Sequence, residues 1–173
     1  MIRTSTPRLI LGFLVLFAGY HGAEYMMLFH NSPNGFLALQ AVFFLLAFLV
    51  ARWQGFKGLA AWGITGGSRG LRNLGTGLLV GGLLYSSYFL TSLKTGYSAI
   101  NSIPPANQFL PAFLLFAFGT FFSSLSEDIL TRGYLFRHFS EKLPPNGLVL
   151  LSALVYVLNH IYRLKDGPLV WLY

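Results

Sequence analysis

Four long runs of apolar residues, 9–29, 36–50, 75–93 and 109–125, set the terms for any fold this chain can adopt. Each approaches the roughly 20 residues that cross the hydrocarbon core of a bilayer as a helix. A fifth run, 147–162, is shorter and would span only if tilted or tucked among its neighbours. Leu, Phe, Ala and Gly fill these runs without period-2 alternation, which points to helices and away from barrel strands. Only 10% of the 173 residues are charged and 54% are hydrophobic. That leaves too little polar surface to clothe a water-soluble globule, in which about a quarter of residues carry charge. The expected fold is therefore all-α, a polytopic membrane helix bundle forming a single integral-membrane domain over residues 1–173.

The net charge of +7 does not mark a nucleic-acid surface, because the basic residues are spread among the connections between spans. Arg3 and Arg8 precede the first run. Arg52, Lys57, Arg69 and Arg72 separate the second from the third, and Arg132, Arg137 and Lys142 follow the fourth. The connection at 30–35 carries no Lys or Arg, and the one after the third run has only Lys94. By the positive-inside bias, the N-terminus and both basic loops face the cytoplasm. A prokaryotic plasma membrane is the expected location, with lipid headgroups as the partners of these charges. The first run could alternatively be a signal peptide, but apolar character resumes at Met26–Phe29 and the later topology needs an odd span here. Cysteine is absent, which excludes disulfides and thiolate metal sites. At the other end, GPLVWLY follows Asp166. Gly-Pro before an apolar run is a good helix opening, and it reads as the start of a sixth span, as though the chain were C-terminally truncated.

Chemistry concentrates in SSLSEDILTRGYLFRHF, residues 123–139, where the fourth apolar run meets Glu127, Asp128 and Arg132. No Pro or Gly interrupts 120–132, so an α-helix is expected to continue through it. On such a helix Asp128 and Arg132 form an i,i+4 pair on one face. Glu127 lies about 100° to the side of Asp128, which leaves it freer and aimed at a neighbouring surface. Acidic groups at membrane depth are costly and commonly functional, although a helix end with snorkelling Arg132 and Arg137 is the plainer reading. The fifth run adds His160 with Tyr156 one turn before it. Glu127 lies 17 residues before Pro144 and His160 lies 15 after Pro145. Antiparallel helices joined at Pro144–Pro145 thus bring the two to nearly the same depth.

These residues resemble a known family. Glu127-Asp128-Ile129-Leu130-Thr131-Arg132 resembles the EExxxR motif of the CAAX-protease and bacteriocin-processing (CPBP, or Abi) family of intramembrane proteases. Tyr156-Val157-Leu158-Asn159-His160 resembles its FxxxH motif, with tyrosine for phenylalanine, and TRGYLF is similar to the FRGxL stretch found there. The motif-bearing part is 109–163. The resemblance implies an endopeptidase acting on membrane-associated peptides or proteins, such as prenylated CAAX-type tails or bacteriocin leaders. It further implies Glu127 as the base that activates water, His160 as its assistant, and Asp128–Arg132 as the pair fixing the helix. Two features depart from the family pattern. The second acid is Asp, and the family's third motif, a histidine followed four residues later by Asn, has no counterpart before Tyr173. A catalytically incomplete immunity or scaffold protein of the same fold is thus the alternative, and a small transporter using Glu24 and Glu127 as proton sites is a third.

Glu127 and His160 are too few ligands for zinc, so no metal or cofactor is expected. His21 and Glu24 share a face of the first span at i,i+3, able to hydrogen-bond to each other or line a cavity. Asn159 can line the same cavity, with Tyr156, or simply hydrogen-bond across helices. Gly77 and Gly81 form a GxxxG read as internal packing, and Arg137-His138 reads as a cytoplasmic helix end.

Overall fold

The computed structural model describes residues 4–162, all of whose regular elements are helical. The expected start of a sixth span, with Arg163, Lys165 and Asp166, and Arg3 lie outside the described residues. The helices are α1 (Thr6–His30), α2 (Pro33–Trp53), α3 (Gly67–Lys94), α4 (Ala106–Asp128), α5 (Leu135–Phe139) and α6 (Pro145–Asn159). A 3-10 turn at Leu59–Trp62 follows α2, and a π-helical segment, Ile129–Tyr134, joins α4 to α5. Four helical stretches are long and apolar enough to cross a membrane, whereas α6, with 15 residues, falls short of a full span.

The chain divides into two compact units, residues up to Gly63 together with those from Ala117 on, and Ile64–Phe116. In the second unit α3 buries only Ser92 and presents Leu78, Leu79, Leu83, Leu84 and Tyr88 outward. The expectation that Gly77 and Gly81 form a packing seam is not met. A Cβ added at either would meet nothing within 4 Å, because their face is turned outward with the leucines around them.

The first unit holds the core. Asn31 takes the left-handed conformation and the Ser32 N–H closes onto the Met26 carbonyl at 3.0 Å, ending α1. Ser32 then caps α2 by accepting from the Gly35 N–H, and Pro33 occupies the first turn. The two-residue reversal makes α1 and α2 an antiparallel hairpin. Their seam contains Leu16, Ala23, Phe43 and Ala47, all fully buried, and small residues there allow close approach.

The π segment is fastened to this hairpin by a polar knot at the α1 N-terminal end. The Tyr134 hydroxyl donates to the Leu9 carbonyl at 2.7 Å, and Gln54 Nε2 donates to the Tyr134 oxygen at 2.7 Å and to the Arg8 carbonyl at 3.0 Å. His138 Nε2 donates to Gln54 Oε1 at 3.0 Å, so this histidine is a structural partner and not merely part of a helix end. Arg137 lies over the Phe56 ring at 4.5 Å rather than reaching away from the protein. Trp62 donates its indole N–H to the Ala47 carbonyl and packs on Tyr134. Two glycines make room. A Cβ at Gly12 would lie 2.6 Å from the Tyr134 hydroxyl, and one at Gly133 would lie 2.4 Å from the Trp62 carbonyl.

Tyr134→Phe keeps the ring and removes the hydroxyl, leaving one N–H of the Gln54 amide without an acceptor in a buried site while the other keeps the Arg8 carbonyl. The expected loss is about 1–3 kcal/mol, read as a lowered Tm of about 2–4 °C per kcal/mol in detergent. An unchanged Tm would mean the knot contributes nothing.

Candidate active site

The expected uninterrupted α-helix through 120–132 stops at Asp128, where the backbone widens into π geometry. A π turn lengthens the hydrogen-bond ladder and frees a carbonyl from its usual partner. The Thr131 hydroxyl takes up the Glu127 carbonyl at 2.9 Å. The Thr131 carbonyl in turn accepts from Ser152 Oγ at 2.8 Å, a buried bond that sets α6 against the π segment. Close packing of Gly133 on the Trp62 backbone and burial of Tyr134 hold the widened turn in place. Sequence inspection missed this turn because nothing in ILTRGY forbids an α-helix.

Register follows from two cross-helix contacts. Tyr134 meets Leu9, and eleven residues earlier Ser123 interacts with the hydroxyl of Tyr20, which lies eleven residues after Leu9. The stretch from Ser123 through the π segment thus runs antiparallel to α1 between these two contacts. Side chains on a helix lean toward its N-terminus, so on these opposed helices Glu24 and Glu127 lean toward each other, onto the Tyr20–Ser123 level. The Tyr20 hydroxyl donates to Glu24 Oε1 at 3.2 Å, and His21 Nδ1 donates to Glu24 Oε2 at 2.9 Å. The expected His21–Glu24 pair is therefore formed.

Glu127 is half-buried, and its Oε1 is buried with no hydrogen-bond partner among the described residues. The charged groups acting on its carboxyl are His160, Glu24, Asp128 and Arg132. His160, the C-cap residue of α6, donates from Nδ1 to the Tyr156 carbonyl at 2.9 Å. That bond fixes the ring proton on Nδ1 and leaves Nε2 as the nitrogen not engaged by it. Tyr156 lies tilted against the His160 ring at 4.7 Å with 42% of its surface exposed, and its hydroxyl also feels the Glu127 charge. Arg132 Nη1 donates to Asp128 Oδ1, the expected pair, with both side chains more than half exposed.

Asn159 departs from the reading as a cross-helix hydrogen-bonding residue. It is 1% exposed, yet neither amide atom has a partner among the described residues. It is the last residue of α6, about two turns beyond Ser152, whose hydroxyl makes the bond to the π segment. Gln40 on α2 shares this condition, buried with both amide atoms unpartnered. Its sequence signal, a lone amide in an apolar span, was available, whereas Tyr20 and Ser123 gave none. Unpartnered buried polar groups are expensive, about 1–3 kcal/mol each, and natural structures retain them chiefly where water or a reactant is to be met. Among the described residues no three His, Asp or Glu side chains gather as metal ligands.

Residues 108–173 match the family model described as Rce1-like, Type II CAAX prenyl endopeptidase Rce1-like. No curated protein and no solved structure matches the chain. The family resemblance read from the motifs is borne out over this part of the chain, which carries Glu127, Asp128, Arg132, Tyr156, Asn159 and His160. Helices α1 to α3 lie outside the match.

Thr131→Val preserves shape and removes the hydroxyl that satisfies the Glu127 carbonyl. It is expected to cost about 1 kcal/mol and to lower Tm in detergent accordingly; an unaltered Tm would show that the carbonyl finds another donor.

Proposed function

We propose that the chain carries the hydrolytic centre of an intramembrane endopeptidase acting on prenylated, CAAX-type tails, with Glu127 as general base. The observation that carries this reading is the unpartnered, buried Oε1 of a glutamate on which the charge of His160, at the end of α6, acts. The match of residues 108–173 to a prenyl-endopeptidase family supports the substrate class.

In this reading Glu127 takes a proton from water as the oxygen attacks the peptide carbonyl carbon. A carboxylate can do this only where it is within hydrogen-bond reach of the water and not already held by another donor. Asp128 takes the Arg132 hydrogen bond, so the cation acts on Glu127 only through its charge. His160, with Nδ1 committed to the Tyr156 carbonyl, directs Nε2 to the water or to the developing oxyanion. The π turn supports the same role, since it holds the Glu127 backbone through Thr131 while leaving the side chain unbound. A prenyl chain would partition into the bilayer beside the helices, delivering its peptide at the depth of the site.

Glu127→Gln is expected to lower hydrolysis of a farnesylated CAAX peptide in proteoliposomes by at least about 10²-fold, with membrane insertion intact. Full activity in that variant would remove Glu127 from the mechanism. The basic loops are proposed to face the cytoplasm together with the N-terminus. The absence of cysteine makes the test direct. A single cysteine at Lys57 should react with an impermeant maleimide only in inside-out vesicles, and one at Asn34 only in right-side-out vesicles. The reverse pattern would invert the topology.

A further inference from the structure

Helix α1 carries a second histidine, engaged by a carboxylate whose charge acts on Glu127. His21 is 6% exposed, and its Nδ1 is bound to Glu24 Oε2 at 2.9 Å. Its other ring nitrogen, Nε2, is buried with no hydrogen-bond partner among the described residues. Three contacts locate the ring. It lies edge-on to Phe17 at 4.2 Å, to Tyr20 at 5.3 Å, and to Tyr162, two residues beyond His160, at 5.1 Å.

Tyr20, one residue away on α1, interacts with Ser123 of α4. Glu24 is held by both Tyr20 and His21, and its charge reaches Glu127. The α1 face thus has Tyr20 turned to the helix that carries Glu127 and His21 turned to the end of the helix that carries His160. An imidazole held at Nδ1 by a carboxylate, with Nε2 open in a buried site, has the arrangement that moves protons in acyl transfer.

We propose that His21, oriented by Glu24, is the catalytic acid that protonates the leaving amine. The assignment rests on the proposed hydrolysis at Glu127. As water attacks, its oxygen bonds to the carbonyl carbon and its proton passes to the Glu127 carboxylate. The tetrahedral intermediate collapses with cleavage of the C–N bond, and the amine nitrogen takes the proton of His21 Nε2–H. His21 is left neutral, with Nδ1–H still on Glu24. The proton on Glu127 then returns to His21 Nε2 through water, which restores both groups. The products are a carboxylic acid and an amine, which ionise on release, and the net reactants are one peptide and one water. Glu24 does not touch the substrate and is a positioning residue.

The step makes a prediction that a merely structural role does not. An amide leaves as an amine only if protonated, whereas a p-nitrophenolate leaves without a proton. The full chain in proteoliposomes is assayed on a farnesylated CAAX peptide and on a p-nitrophenyl ester of the same acyl segment. His21→Gln is expected to lower amide hydrolysis by about 10²-fold or more and ester hydrolysis by less than about threefold. Glu24→Gln should shift the two rates in the same unequal way, by about tenfold on the amide. Equal loss on both probes, or no loss on the amide, overturns the assignment. Retained ester hydrolysis also reports that each variant is folded. Amide hydrolysis that survives Glu127→Gln but not His21→Gln overturns the role of Glu127 and leaves His21 standing. A wild-type chain inactive on both probes overturns the proposed function and this assignment with it.

Discussion

The Tyr134 hydroxyl sits where three segments distant in sequence meet, between the Leu9 carbonyl and the Gln54 amide. In a bilayer no water can satisfy these groups, so each must find its partner within the protein. The tyrosine fixes the π segment against α1, and with it the register of α4 above. Displacing the hydroxyl would free the segment that carries Glu127 and Arg132. Gly12 and Gly133 are part of the same constraint, because a Cβ at either would enter the space the knot occupies.

From that anchor the site is built by leaning side chains. Opposed helices incline Glu24 and Glu127 toward a common level, where Tyr20 and Ser123 meet. The π turn uses the Thr131 hydroxyl and carbonyl, one toward Glu127 and one toward Ser152, to tie α4 and α6 together. This leaves two sorts of polar group side by side. Some are fully engaged and hold position, such as Gln54, Tyr134 and Thr131. Others are buried but open, such as Glu127 Oε1, His21 Nε2 and the Asn159 amide. A membrane protein bears the cost of the second sort only with the first sort holding them in place.

Much of this was legible beforehand. Apolar run length marked the spans, because a bilayer demands about 20 residues per crossing. The i,i+4 spacing of Asp128 and Arg132 announced their pairing, since helical neighbours are set by local geometry alone. The His21–Glu24 pair was readable for the same reason. The π turn was not, because it arises from Gly133 packing on Trp62, some 70 residues earlier in the chain. Nor was the isolation of Asn159, whose amide looked able to bond across helices, or the outward orientation of the Gly77–Gly81 face.

The sequence by itself determined that the chain is a membrane helix bundle and that an acid, a second acid with its arginine, and a later histidine recur in a protease-like pattern. These are properties of hydropathy and of spacing along one helix, which no tertiary contact can alter. Tertiary structure alone decided which polar groups are engaged and which stay open, and that the Glu24 carboxylate of α1 acts on Glu127. Those outcomes depend on the register between helices, and register is set by a few long-range hydrogen bonds at Tyr134, Gln54 and Ser152 whose partners are backbone carbonyls or distant side chains that leave no local pattern.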